Sequence, residues 1–297
     1  MKHKSLLVLA IILLSLKSFA QNDLLERLQV LQNKTVKYYN IDNYLITSEI
    51  FNSDLNDKRL NILYRKYDIK TKDLKSKNPE IPYNHIYIKK ENSVSDQLTQ
   101  KNSYYFVENK DKMTVIIRFS NMTSIDQDLE KKMVNLIVEN TIPKENYASL
   151  RIDSINFAGR NIKLNNSCYW TNVNTVQCPY LGEMNWSLHS DLNSAQTALD
   201  NQLLITKTKK GIKIIYDELV EVEFEGTPTK AKKVVIDFNG GTSLLLGITG
   251  NKTLTVYYVA ENIRNHYLAC VLSFWNNDDI TSTGLPQLLN QVMKINN

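Results

Sequence analysis

One stretch of this chain is written twice. Tyr104-Tyr105-Phe-Val-Glu108-Asn109 returns as Tyr257-Tyr258-Val-Ala-Glu261-Asn262, and each copy is followed by a turn, an alternating segment and an amphipathic one. Met113, Val115, Ile117 and Phe119 alternate with polar or smaller residues in the first copy. Leu268, Cys270, Leu272 and Phe274 take those places in the second if its turn holds two extra residues. A period of two puts each set on one face of a strand. A module repeated within a chain narrows the architecture, because each copy buries equivalent faces in an equivalent way. The spacing predicts two related units, each a hairpin followed by a helix packed on its sheet.

The flanking segments agree. Ser124-Ile-Asp-Gln127 reads as a capping box, with Leu129, Met133, Leu136 and Ile137 as one apolar stripe. In the second copy Pro286 sits in a first helical turn, and Leu285, Leu288, Leu289, Val292 and Met293 form the stripe. Thr141-Ile-Pro143-Lys-Glu-Asn146 breaks the helix between them. The division is then an N-terminal unit at 21–142 and a C-terminal unit at 143–297. In the first, Asp23-Leu-Leu-Glu26 caps a short helix, 60–64 and 83–88 look like strands, and the lysine-rich 70–77 is a solvated loop. In the second, a helix runs from about Ser194 to Leu204. Val220, Val222 and Phe224 there face away from Glu221, Glu223 and Glu225, Gly226-Thr-Pro228-Thr turns the chain, and Lys230 and Lys232 return opposite the acids. Those carboxylates read as a solvated sheet face.

Residues 1–20 carry an address. Lys2, His3 and Lys4 precede an apolar run at 6–16, and Ser18-Phe19-Ala20 offers the small residues that a signal peptidase accepts. Cleavage after Ala20 is expected, giving a periplasmic or secreted protein with no transmembrane segment left behind. Removing Lys2, Lys4 and Lys17, three positive charges, takes the formal +5 down to +2. So small an excess argues against nucleic-acid binding. Cys168 and Cys178, ten positions apart, are expected to join in an oxidising compartment. Cys270 lies in an apolar alternation and reads as a small core residue.

From about Ser194 onward the order is a helix, Gly211-Ile-Lys-Ile-Ile215, the Glu-Phe-Glu-Gly-Thr-Pro-Thr-Lys-Ala hairpin, Thr253-Leu-Thr-Val-Tyr-Tyr-Val-Ala260, the strand 268–275 and a closing amphipathic helix. That order resembles the PsbP-like fold, the α/β/α sandwich of the extrinsic photosystem II subunit, over roughly the last hundred residues, with a weaker echo in the first unit. The resemblance implies an α+β protein of two tandem α/β/α-sandwich units with mainly antiparallel sheets. It carries over no catalytic or ligand motif, because proteins of that fold serve mostly in binding, assembly or accessory roles. The aromatic segment around Cys168 and Cys178 departs from its simplest pattern.

The chain holds no zinc-binding His-Glu-x-x-His, nucleophile elbow, Walker loop, dinucleotide turn or Cys-x-x-Cys pair. Only His85, His189 and His266 survive signal removal. Asn52-Ser-Asp54-Leu-Asn56 alternates oxygens like a calcium loop, but Asp57 replaces its glycine and Leu63 its bidentate glutamate. Ser187, His189 and Asp191 would share a strand face at about 6.6–7 Å spacing, too far apart for direct contact. No catalytic residue, metal or cofactor is expected. Tyr169, Trp170, Tyr180 and Trp186, in or beside the cysteine loop, are the candidate binding residues, because pinned aromatics lose little entropy on contact. The expectation is an exported non-catalytic binding or accessory protein of the bacterial cell envelope, with a protein or small molecule as partner. The alternatives are an exported hydrolase using His189 with Asp191 or the Glu221–Glu225 row, and an immunity-type or secretion-system accessory protein.

Overall fold

The computed structural model describes residues 23–70, 72–238 and 253–296. The export segment read at 1–20 lies outside them. Among the described residues, no helix is long and apolar enough to cross a membrane.

A helical turn over 23–27 leads into β1 (Gln29–Asn33), β2 (Val36–Ile41), β3 (Tyr44–Phe51), helix α1 (Asp57–Lys66), β4 (Leu74–Ser76), β5 (His85–Ser95), β6 (Leu98–Glu108), β7 (Thr114–Asn121), helix α2 (Gln127–Val138) and β8 (Tyr147–Ala148). The second half runs β9 (Ser154–Phe157), β10 (Arg160–Lys163), β11 (Tyr169–Asn172), β12 (Thr175–Cys178), β13 (Gly182–His189), helix α3 (Leu192–Thr208), β14 (Ile212–Phe224), β15 (Thr227–Phe238), β16 (Thr253–Ile263), β17 (His266–Trp275), the one-turn α4 (Gln287–Asn290) and β18 (Met293–Ile295). Two eight-stranded sheets result, ordered β4-β5-β6-β7-β3-β2-β1-β8 and β11-β12-β13-β17-β16-β15-β14-β18. All neighbours are antiparallel except β8, which runs parallel to β1.

The two sheets share one topology. Three strands, a helix and four strands follow in each, and the last strand lies against the third. Their registers agree as well. Ser103, Tyr105 and Val107 pair with Phe119, Ile117 and Val115, while Thr255, Tyr257 and Val259 pair with Phe274, Leu272 and Cys270. Cys270 therefore stands where Val115 stands, buried in its core. Tyr257, however, answers to Tyr105 and not to Tyr104. The motif match is out by one residue because the second hairpin is longer by three residues rather than two. Its ladder continues to Ile263–His266 and turns on Arg264-Asn265, both at positive φ, whereas β6–β7 stops at Glu108–Thr114. A slip of one residue exchanges faces. Tyr104 thus packs beneath α1 with Phe106 and Ile116, whereas Tyr257 lies in the core on the opposite face from α3.

The class is α+β with mainly antiparallel sheets, but it is richer in strand than two α/β/α sandwiches. The first sheet has a helix on each face, α1 over Ile88, Tyr104 and Phe106, and α2 over Tyr105, Ile117 and Phe119. The second has α3 on one face. Its other face is covered by the β9–β10 hairpin and α4, with Phe157, Trp186, Phe224 and Leu289 in the contact.

Local departures have local causes. Residues 60–64 belong to a helix, not a strand: Asn56 Oδ1 accepts from Arg59 N at 3.0 Å, and Leu60 and Leu63, three apart, face the sheet. That cap also uses up the asparagine of the calcium-like turn. The stripe at 285–293 is buried throughout, yet its end extends into β18, which pairs with Val222–Phe224 and covers part of an edge. Asp126 rather than Ser124 caps α2, accepting from Leu129 N at 3.0 Å. The β14–β15 turn falls on Glu225-Gly226, both at positive φ, so Glu225 leaves the acidic row. Its carboxylate is 3% exposed and held by Arg160 and Arg264, whose guanidiniums also donate to the carbonyls of Gln291, Ala158 and Phe157.

Candidate functional site

The disulfide Cys168–Cys178 joins the start of β11 to the end of β12. Alternation along β13 then turns Met184, Trp186 and Leu188 into the core and Ser187 and His189 to the opposite face. Trp186 is 1% exposed. Trp170, on β11, lies over it with ring centroids 5.9 Å apart and planes at 36°, and Phe157 meets it from β9 at 5.7 Å. Trp170 Nε1 donates to Ser149 O at 2.9 Å, which ties the bridged hairpin to the segment leaving the first sheet. The other two candidate aromatics lie elsewhere. Tyr169 points outward and donates to Gln177 Oε1 at 2.8 Å, and Tyr180, in the turn after β12, is 62% exposed. The structure thus unites Trp170 and Trp186 and leaves Tyr169 and Tyr180 apart from them.

Both tryptophans line a cleft of about 840 Å³ between the two halves of the molecule. Leu28, Val30 and Tyr147 supply the wall from the first sheet; Ile155 and Leu188 extend the tryptophan wall from the second. Asn146 braces the first wall by donating to the carbonyls of Leu25 and Leu28 at 2.6 and 3.1 Å. Sequence reading missed this wall because Leu28 and Val30 lie more than a hundred positions from the cysteine loop, and Tyr147 falls just past the stretch read as a boundary. Two lining residues carry buried polar atoms with no hydrogen-bond partner: the indole Nε1 of Trp186 and Oε1 of Gln29. An unpaired buried donor or acceptor costs on the order of 1–3 kcal/mol.

A polar junction closes one side of the contact between halves. Asp42 N donates to Leu188 O at 3.1 Å, Arg27 Nε donates to Asp42 Oδ1 at 3.1 Å, and Asn43 Nδ2 donates to Ser194 Oγ at 3.0 Å. Behind it Ser187 Oγ lies 2.8 Å from His189 Nε2, a contact the strand spacing argues against; an imidazole laid along the strand spans the gap. His189 Nδ1 reaches Ser194 Oγ at 3.3 Å, and Asp191 caps α3 through Ser194 N instead of orienting the histidine. Burial holds the His189 imidazole down at about 4, with Asp191 opposing and Arg27 adding to the effect. Ser187 and His189 are 4% and 1% exposed, so neither offers a surface to a substrate. Cys270 is equally enclosed, and burial raises its thiol well above the usual range. Among the described residues, no group of three or more His, Cys, Asp or Glu is arranged to hold a metal ion.

No protein-family model and no curated protein matches this chain. Among solved structures it is similar to DynU16, a protein of the dynemicin biosynthetic locus, at 7% identity over 85% of this chain and 76% of that one, with a TM-score of 0.17. A second is the di-domain ARO/CYC StfQ from the steffimycin biosynthetic pathway, at 8% identity over 82% and 71%, again with a TM-score of 0.17. Scores that low say nothing about fold or activity.

Proposed function

We propose that this is an exported, non-catalytic binding protein of the bacterial cell envelope whose inter-sheet cleft holds one small apolar molecule. The observation that carries the reading is the cleft, with Trp170 stacked on Trp186 as its wall. Its volume falls among those of small-molecule sites, which are concave and lined by apolar and aromatic side chains with a few polar groups. The disulfide beside it suits an oxidising compartment. A PsbP-like ancestry for the last hundred residues, copied once to give the first half, belongs to the same proposal, since that fold serves mostly binding and accessory roles. A hydrolase built on His189 is disfavoured, because a general base needs to accept a proton near neutrality and to reach its substrate.

Phenylnaphthylamine, an uncharged probe that brightens in apolar surroundings, tests the proposal on the mature chain. One equivalent is expected to bind, with at least about tenfold loss in Trp170→Ala and in Ala148→Trp, which places a bulky ring in the cleft. Absence of binding, or binding unchanged by both substitutions, overturns it.

A further inference from the structure

The second sheet ends on an edge that its last strand covers only in part. β18 pairs with Val222–Phe224, and Asn296 N donates to Glu221 O at 3.2 Å, but among the described residues no strand pairs with the outer side of β14 from Ile212 to Val220. Ile215, Tyr216 and Leu219 stand there 43, 59 and 66% exposed. Unpaired backbone groups beside apolar side chains make an edge that native proteins blunt unless a partner pairs with it. The other sheet ends are blunted. β4, β8 and β11 have three, two and four residues, and the open stretch of β5 beyond β4, Lys90–Ser93, is polar throughout.

The pattern along β14 fits a reversed copy of itself. Ile212 and Ile214 lie toward α3, so Lys213 lies away from it. A bulge at Ile215, between the Ile214–Ile236 and Tyr216–Val235 pairs, then shifts the alternation by one residue. Leu219, opposite Lys232, consequently lies toward α3, while Val220 and Glu218, the latter opposite Lys233, lie away from it. Ile212 and Leu219 are an odd number of positions apart and would face oppositely in a regular strand; the bulge puts them on one face. It does the same for Lys213 and Glu218. Two such strands, antiparallel and centred on the bulge, set Ile212 against Leu219 of the second copy and Lys213 against Glu218 of the second copy, each contact made twice. Lys213 is in no ion pair with a described residue, whereas Asp217, which meets Ile214 in this register, already has its charge held by Lys207 and Lys232.

We infer that two copies of this chain pair through β14 about a twofold axis, joining their second sheets into one continuous sheet. A contact of this kind uses up both edges and closes at a dimer. It is independent of the cleft and of what the cleft holds.

Sedimentation of the protein over concentrations rising to the high micromolar range tests the pairing, and hydrogen exchange locates it. A monomer–dimer equilibrium is expected, with amides in 212–220 exchanging more slowly as the dimer forms. Leu219→Lys, at an exposed position on which the monomer's core does not depend, is expected to raise the dissociation constant at least about tenfold. Lys213→Glu and Glu218→Lys each set like charges across the interface and are expected to weaken it about tenfold, while the two together restore pairing to within about threefold of the native value. A monomer at every concentration, growth beyond a dimer, or a dimer whose 212–220 amides stay unprotected overturns the inference. So does a dimer unmoved by Leu219→Lys, or one that the double charge reversal fails to restore.

Discussion

Glu130 sits with no exposed surface between α2 and the first sheet, taking a hydrogen bond from Tyr105 Oη at 2.9 Å on one oxygen and none on the other. Burial holds its carboxyl up at about 7, with the Ser103 and Tyr105 hydroxyls opposing. A carboxyl raised in the folded state favours folding while both states are protonated, and that advantage is lost as pH climbs from about 4.5 to about 7. Glu130→Gln is therefore expected to raise stability at about pH 8, by at most on the order of 3 kcal/mol, and to change little at about pH 4; denaturant midpoints at the two pH values check it. His189 acts in the opposite direction. Its folded-state value lies below 6.5, so its contribution is complete above that and lost as pH falls toward about 4. His189→Gln should flatten the acid limb of the stability profile, and an unchanged limb would show that the junction of Ser187, His189 and Ser194 is not what acid disrupts. Neither group was legible as a titrating core residue. Glu130 stands three, four and seven positions before Met133, Val134 and Ile137, on the helix face that packs on the sheet, but a carboxylate within an apolar stripe does not announce in the sequence that it is fully enclosed.

At the scale of elements, Glu225 shows why some of the fold was readable and some was not. The alternation of Val220, Val222 and Phe224 against Glu221 and Glu223 placed β14 and its faces, and Lys230 does meet Glu221 at 3.4 Å across the strands. A turn two residues earlier than the proline suggested took Glu225 out of that pattern and into contact with Arg160 and Arg264, partners 65 and 39 positions distant. Periodicity records which side a residue faces; it carries no trace of a partner supplied by another hairpin. Glu225→Gln leaves both guanidiniums without their counter-charge at the meeting point of three turns, and a loss of about 2–3 kcal/mol in unfolding free energy is expected, discounted because the arginines are about a third exposed. A loss below about half a kilocalorie per mole would show that the clamp is ornamental and that the apolar contacts of Phe157 hold the β9–β10 hairpin alone.

For the molecule as a whole, the repeat was legible because both copies keep β6–β7 and β16–β17 under the same burial demand, and the one-residue error arose where the second hairpin lengthened without any such demand. The cleft was half legible. Trp170 and Trp186 stood out by their company with the cysteines, but Leu28, Val30 and Tyr147 are ordinary residues until two sheets meet around them. That meeting defines the proposed site, so a probe that records contact is its most direct test. A phenylnaphthylamine analogue carrying a photoactivated diazirine, cross-linked to the protein and mapped by peptide mass, is expected to label 25–30, 146–158 and 170–188 together, from both walls at once. Labelling confined to one wall, or centred on α3 or Tyr180, would contradict a binding site between the sheets.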